Sequence, residues 1–254
     1  MIGAIVGDII GSRFEFNNTR SRNFELFTND CDFTDDTICT IAIADALVSG
    51  SRDYQDRLRY WCKKYPFPTG GYGCSFAQWL NSANQVPYNS LGNGSAMRVS
   101  PVALWCNTLD EVKREAERTA MPTHNHKEGV IGAVSVAHAI FCLKRGCGKD
   151  GLIQIGNEYY PGFLNRRYVY GNFDETCPGT VPLCFYIMAH STGFEDAIRN
   201  AITIGGDSDT IGAIVGSMAE ALWGIPVHIE QNIYKYLPKE MIDVINDFKS
   251  RKNG

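Results

Sequence analysis

The chain of 254 residues carries 24 Lys and Arg against 28 Asp and Glu, which gives a formal net charge of −4 at pH 7. This balance argues against general nucleic-acid binding, which requires a basic face. No apolar run approaches the ~18 residues that a membrane-spanning helix needs. Asp8 interrupts the apolar N-terminal segment, which lacks the basic region of a secretory signal. Nine cysteines without a Cys-x-x-Cys pair predict reduced, mostly buried thiols in a cytoplasmic protein.

Apolar residues recur at helical spacing along most of the chain, and convincing period-two strands are scarce. In chain order, the pattern predicts helices over residues 38–50, 51–65, 75–82, 109–120, 128–145, 181–189, 196–204, 210–223 and 231–251. Asp110 is the expected N-cap of the helix over 109–120, and residues 166–170 are a candidate extended piece. The sequence therefore predicts an all-α fold in a single domain over residues 1–254, with loops at 66–73, 87–95, 122–125 and 171–179.

Two short acidic clusters lie far apart in the chain, each just ahead of an apolar helical run: Thr34-Asp35-Asp36-Thr37 and Asp207-Ser208-Asp209-Thr210. Side-chain oxygens at this density suit a hard divalent cation such as Mg²⁺ or Mn²⁺. The alternative is plain capping of the two helices by one residue of each cluster. Capping explains one polar residue per helix but not the paired carboxylates, so the clusters predict a shared metal site that activates water.

Glycine-rich loops accompany the clusters. Gly205-Gly206 allows a tight turn into the second cluster, and the small-residue segment 91–98 has backbone amides that could approach phosphate oxygens. Tyr72, within the flexible segment 70–73, could stack on a base. Ordinary turns are the alternative for both segments. Because exposed amides at helix N-termini also favour anions, the combination suits a substrate that contains phosphates.

Several single polar residues near these segments have a structural or a functional interpretation. Asp8 is expected to be a buried hydrogen-bonding residue that pins a turn, and Glu15 is either a surface charge or a third acidic contribution from a mobile loop. His124 and His126 lack the further ligands of a zinc site, so at most one of them is expected to contact substrate. No Gly-x-Ser-x-Gly element or recognisable catalytic cysteine indicates a covalent nucleophile.

The order of these segments resembles the ADP-ribosylglycohydrolase family from about residue 2 to about residue 224. The resemblance is carried by Gly7-Asp8 to Gly11, Glu15, Thr34-Asp35-Asp36-Thr37, Gly71-Tyr72-Gly73, Gly92 to Arg98 with Pro101, Thr123-His124, and Gly205 to Thr210. It implies a compact orthogonal bundle of many helices. It also implies a metal-dependent hydrolase that cleaves the bond between C1″ of ADP-ribose and an acceptor with a metal-bound water.

The resemblance further implies roles for individual residues. A pair of Mg²⁺ or Mn²⁺ ions would be held by the residues Thr34, Asp35, Asp36, Asp207, Asp209 and Thr210. The catalytic groups would be Asp35, Asp36 and Glu15, with proton transfer by one member of the aspartate pair. The substrate would be bound by Gly71, Tyr72, Gly73, Asn93, Gly94, Ser95, Ala96, Met97 and His124.

The acceptor is left open by the sequence. An ADP-ribosylated protein or small molecule would be the substrate, with arginine, serine and small-molecule conjugates as the candidates, and the polar segment 171–178 is expected to border the acceptor. Three alternatives stand beside the hydrolase: a non-enzymatic ADP-ribose-binding module, a structural protein that inherited the fold, and a phosphohydrolase acting on an ADP-ribose-like nucleotide. Oligomeric state is not indicated.

Overall fold

The structure is a computed structural model that describes residues 1–253. Its α-helices are α1 (Ile2–Gly11), α2 (Asp35–Val48), α3 (Tyr54–Lys64), α4 (Cys74–Asn81), α5 (Gly94–Met97), α6 (Ser100–Trp105), α7 (Leu109–Ala120), α8 (Lys127–Lys144), α9 (Gly148–Tyr159), α10 (Cys177–His190), α11 (Phe194–Ile204), α12 (Ser208–Trp223), α13 (Val227–Ile233) and α14 (Lys239–Asn253). Short 3₁₀ turns occupy Ser12–Phe14 and Phe163–Asn165, and the described residues form no strand. The prediction of an all-α fold is confirmed.

Several predicted boundaries are wrong. Thr108, not Asp110, caps α7, because the Thr108 side chain accepts a hydrogen bond from the amide of Glu111. Helix α10 begins at Cys177, inside the predicted loop, since Thr176 provides the N-cap and Pro178 suits the first turn. The predicted tail helix over 231–251 is two helices, α13 and α14, and residues 166–170 form no strand.

Helix α1, which the sequence did not predict, packs antiparallel against α12 at backbone-to-backbone distance. Glycines recur every fourth residue on both helices, so Gly3 faces Gly216 and Gly7 faces Gly212. A Cβ atom on Gly7 would lie 1.9 Å from the carbonyl oxygen of Gly212, which leaves no room for any side chain there. This close approach brings the C-terminal half of α1 to the N-terminus of α12.

Asp8 of α1 fixes the start of α2. It is fully buried, and its carboxylate accepts hydrogen bonds from the Thr34 hydroxyl at 2.7 Å and from the backbone amides of Thr34 and Thr37 at 3.1 and 3.0 Å. The prediction that Asp8 is a buried hydrogen-bonding residue is confirmed. Since α1 contacts both α2 and α12, it brings the two acidic clusters of the sequence to one place.

All nine cysteines are free, and six of them are buried. Within the described part of the chain, no helix combines the length and the apolar character that crossing a membrane would require.

Candidate active site

A cavity of about 550 Å³ opens where the N-termini of α2 and α12 meet. Its lining comes from segments that are distant in sequence: the residues after α1, the start of α2, the glycine-rich segment before α4, the segment around α5, His124, the segment before α10 and the start of α12. A volume in this range is typical of small-molecule sites. The two acidic clusters therefore share one cavity.

Five carboxylates form the acidic wall of this cavity: Asp35 and Asp36 from α2, Asp207 and Asp209 from the start of α12, and Glu15 from the turn after α1. One carboxylate oxygen each from Glu15, Asp207 and Asp209 lies within 4.8 Å of the others. The hydroxyl of Thr210 donates to Asp36 Oδ2 at 3.1 Å, and the Asn93 amide donates to Asp207 Oδ2 at 2.6 Å. These bonds orient the carboxylates toward one another.

Some oxygens of this wall have no partner. Asp36 Oδ1, Asp209 Oδ1 and Glu15 Oε2 are buried without a hydrogen bond from any described residue. Buried polar atoms are normally satisfied, and an unpaired carboxylate oxygen is expensive to bury. Carboxylate and hydroxyl oxygens are the ligands that Mg²⁺ and Mn²⁺ prefer. The donor set therefore fits a hard divalent cation.

The electrostatics of the wall point the same way. Burial, and then repulsion from Asp207, raises the pKa of Glu15 to about 7. Burial also raises the pKa values of Asp35, Asp36 and Asp209 well above the usual range for aspartate, and neighbouring carboxylates add to the shift. Without a cation, this wall therefore holds protons; a divalent cation would neutralise the same charges.

The predicted metal ligands do not all face the cavity. Asp35, Asp36, Asp207, Asp209 and Thr210 line it. Thr34 does not: it is fully buried behind the wall. Its hydroxyl donates to Asp8 and accepts from the amide of Asp36 at 3.2 Å, as an N-cap of α2. Its oxygen is therefore engaged in holding the turn that presents the two aspartates.

The predicted substrate residues divide in the same way. Those that line the cavity are Gly71, Tyr72, Gly73, Asn93, Gly94, Met97 and His124. Ser95 and Ala96 do not line it, because this turn of α5 directs them toward α8: the Ser95 hydroxyl donates to the carbonyl oxygen of Gly129 at 2.7 Å. The backbone of α5, rather than these two side chains, is what borders the cavity.

Aromatic rings form a second wall. The Tyr72 hydroxyl donates to the carbonyl oxygens of Tyr65 and Cys62 at 2.7 and 3.3 Å, which fixes its ring beside Phe76 at a centroid distance of 5.5 Å. Tyr88 lies against His124 with ring centroids 6.3 Å apart. These rings offer flat apolar surfaces of the kind that stack on a nucleobase.

Asn18 is a site-forming residue that the sequence did not reveal. Its side-chain amide donates to the carbonyl oxygens of Phe14, Glu15 and Gly206 at 2.6, 3.2 and 3.1 Å. Its own oxygen accepts from the Gly206 amide at 2.9 Å. Asn18 therefore ties the turn that carries Glu15 to the turn that carries Asp207. No sequence signal marks it, because an asparagine in a polar loop is ordinary.

The mouth of the cavity carries two exposed aromatic rings. Phe16 and Phe173 are stacked at 5.9 Å with 17° between their planes, and they are 75% and 43% exposed. Glu175, close by in the segment before α10, has a raised pKa because of partial burial and the nearby charges of Asp207 and Asp174. The predicted border segment 171–178 therefore reaches the cavity through Phe173 and Glu175.

Comparison with known proteins gives one consistent family. The sequence pattern of the ADP-ribosylglycohydrolase family matches residues 1–251. The chain is 23% identical to an ADP-ribosylhydrolase (ARH3) of Danio rerio over 89% of this chain and 82% of that protein. It is 24% identical to an ADP-ribosylarginine hydrolase of Pseudomonas putida over 89% of this chain and 70% of that protein. A solved structure, an ADP-ribosylglycohydrolase-related protein complex, shares the fold with a TM-score of 0.75 at 22% identity, covering 97% of this chain and 95% of the other.

Proposed function

Because this chain belongs to the ADP-ribosylglycohydrolase family, we propose that it uses divalent cations to hydrolyse the bond between C1″ of ADP-ribose and an acceptor. The coarser activity, hydrolysis of a glycosyl bond in ADP-ribose conjugates, follows from the family. The observation that carries the metal dependence is the set of buried carboxylate oxygens without partners on one wall of the cavity. Burying several unpaired carboxylate oxygens costs free energy, and a bound cation would offset that cost.

The residues that would hold the cations are Asp35, Asp36, Asp207, Asp209, Thr210 and Glu15. Divalent cations in such a site supply positive charge that lowers the pKa of water and polarises sugar hydroxyls. The protein orients the carboxylates through side chains that are themselves fixed: Thr210 holds Asp36, and Asn93 holds Asp207. Thr34 shapes the turn from behind, through Asp8.

We assign proton transfer to Asp35 of the aspartate pair. Asp36 is 2% exposed and accepts a hydrogen bond from Thr210. Asp35 is only half-buried, lines the cavity and has no hydrogen-bond partner among the described residues. Its pKa is raised well above the usual value by burial and then by neighbouring negative charge. A carboxylate that reaches the reacting centre and is not engaged by a neighbouring side chain is suited to take and return a proton.

The remaining walls support an ADP-ribosyl ligand. The rings of Tyr72 and Tyr88 suit adenine, and the backbone around Asn93 and Gly94 suits the diphosphate and the distal ribose. The acceptor would leave through the mouth beside Phe16 and Phe173, whose exposure admits a protein side chain or a small molecule. The substrate is therefore proposed to be an ADP-ribosylated protein or small-molecule conjugate.

The test is product analysis with a ligand variant. The protein is incubated with ADP-ribosyl-arginine, ADP-ribosyl-serine and ADP-ribose 1″-phosphate in Mg²⁺ or Mn²⁺, and products are separated by chromatography. We expect release of intact ADP-ribose from at least one conjugate, abolished by chelator. Asp209→Asn should lower kcat/KM at least about 100-fold, since it removes a charged ligand without changing volume. Asp243→Asn on α14, at an exposed ion pair with Lys239, is the matched control.

Other outcomes identify other functions. Release of AMP would show cleavage at the diphosphate and would replace the proposal with a phosphohydrolase. Tight ADP-ribose binding with no turnover of any conjugate in either metal would replace it with a binding module. Turnover that persists at full rate in chelator would remove the cations from the reaction.

A further inference from the structure

Three side chains are joined by hydrogen bonds at one wall of the cavity: Arg98, Thr123 and His124. Arg98 and His124 line the cavity, and Thr123 is buried between them. We propose that Arg98 and Thr123 are positioning residues that fix His124 as the neutral tautomer with its proton on Nε2, so that His124 donates a hydrogen bond to an acceptor atom of the bound ligand. The identity of that ligand, ADP-ribose, rests on the proposed function; the tautomer does not.

The donor and acceptor roles in these hydrogen bonds follow from Arg98. A guanidinium group only donates hydrogen bonds. Arg98 is 1% exposed, and its Nη2 donates to the carbonyl oxygen of Thr119 and to Thr123 Oγ1, both at 2.9 Å. The Thr123 oxygen is therefore already an acceptor when it meets His124.

The hydroxyl proton of Thr123 then has one available acceptor. Thr123 Oγ1 lies 2.7 Å from His124 Nδ1, and no other described atom accepts a hydrogen bond from this hydroxyl. If the hydroxyl donates to Nδ1, this nitrogen carries no proton, and the neutral ring must carry its proton on Nε2. A second proton is disfavoured as well: burial and then the charge of Arg98 hold the pKa of His124 well below its usual value.

Nε2 is directed at the ligand side of the ring. A Cβ atom built on Gly94 would lie 3.2 Å from Nε2, and one built on Gly92 would lie 3.4 Å away. Both glycines border the cavity, and no described residue accepts a hydrogen bond from Nε2. Tyr88 packs against the ring and limits its rotation. The Nε2–H group is therefore a fixed, uncharged donor whose partner must come from the cavity.

Nitrogen-15 NMR of histidine-labelled protein reads this tautomer directly. We expect His124 to show a protonated Nε2 and an unprotonated Nδ1, with no titration between pH 5.5 and pH 8. The signals are assigned by their loss in His124→Gln. His126 provides an internal reference for a ring with an unprotonated Nδ1, because its Nδ1 accepts a hydrogen bond from the backbone amide of Glu128 at the start of α8. A proton on Nδ1, or a titration near the ordinary histidine pKa, would overturn the proposal.

Two variants separate positioning from folding. Thr123→Val keeps the volume but removes the hydroxyl, so the tautomers should mix and the Kd for ADP-ribose should rise about three- to tenfold, the size of one lost hydrogen bond. Thr123→Ser should restore both. Thr203→Val on α11, whose hydroxyl bonds only within its own helix, should change neither.

The outcomes also separate this inference from the proposed function. If Thr123→Val leaves the tautomer and the affinity unchanged, the positioning role is wrong even if hydrolysis is observed. If Thr123→Val does not fold, the wild-type spectrum and Thr123→Ser still decide the tautomer. If the wild-type protein shows the expected tautomer but neither binds nor hydrolyses ADP-ribose conjugates, the proposed function fails while the hydrogen-bonded chain stands.

Discussion

Asn18 shows how one uncharged side chain determines the position of a charged one. Its four hydrogen bonds join the turn of Glu15 to Gly206, the residue before Asp207. Two of the three carboxylates that approach within 4.8 Å of one another are therefore held by a single amide. A residue of this kind acts on metal binding without touching the metal.

Asn18→Ala should weaken Mn²⁺ binding by about tenfold, because the turn that carries Glu15 loses its attachment to the turn that carries Asp207. Isothermal titration of the metal-free protein with Mn²⁺ measures the change. Asn17→Ala is the matched control, since Asn17 is the exposed neighbour and its side chain holds neither turn. Equal affinities for the two variants would contradict the positioning role of Asn18.

At the residue level, the sequence predicted which residue types form the site but not the directions in which their side chains point. Paired aspartates before an apolar run stand out in the sequence because capping needs only one of them. The inward direction of Ser95 and the engagement of the Thr34 hydroxyl by Asp8 depend on which face of a short turn meets α8 or α1. Tertiary packing determines which face is turned inward, and a local sequence motif carries no information about tertiary packing.

At the level of elements, the α1–α12 contact positions both acidic clusters. Gly7→Ala should lower the free energy of unfolding by about 3 kcal/mol, because its Cβ would meet the Gly212 carbonyl and force the helices apart. Urea unfolding monitored by circular dichroism gives the value. Gly193→Ala, at a glycine with no atom within 4 Å of the new Cβ, should cost far less. A similar loss of unfolding free energy in both variants would show that the close contact between α1 and α12 does not account for the effect of Gly7→Ala.

Polar faces, burial and glycine content explain which helices the sequence did and did not predict. Helices with one polar face, such as α3 and α7, show clear spacing and were found. Every residue of α1 is buried, so it has no polar face to set a period, and its glycines every four residues suggest breaks. Helix α9 also carries glycines that lower its local propensity. Such helices are stabilised by their neighbours, which explains why local spacing missed them.

For the whole molecule, the acidic wall links stability, pH and metal binding. Burial raises the pKa of Glu15 in this wall to about 7 from an ordinary 4.5. It also raises the pKa values of Asp35, Asp36 and Asp209 well above the usual aspartate range. A carboxyl group with a raised folded-state pKa binds more protons in the folded protein than in the unfolded chain. Its contribution to stability is therefore present at low pH and is lost as the pH rises through the folded-state pKa. The metal-free wall should destabilise the protein between pH 6 and pH 8.

A divalent cation should reverse this loss, because it binds the deprotonated carboxylates and competes with protons for them. We expect the rise in Tm caused by saturating Mg²⁺ or Mn²⁺ to be larger at pH 8 than at pH 6. Thermal unfolding in chelator and in metal at both pH values measures the difference. Glu15→Gln should reduce the pH dependence of the rise, whereas Glu117→Gln, on the exposed side of α7, should not. A rise that is equal at both pH values, or larger at pH 6, would show that protons and cations do not compete for the same oxygens.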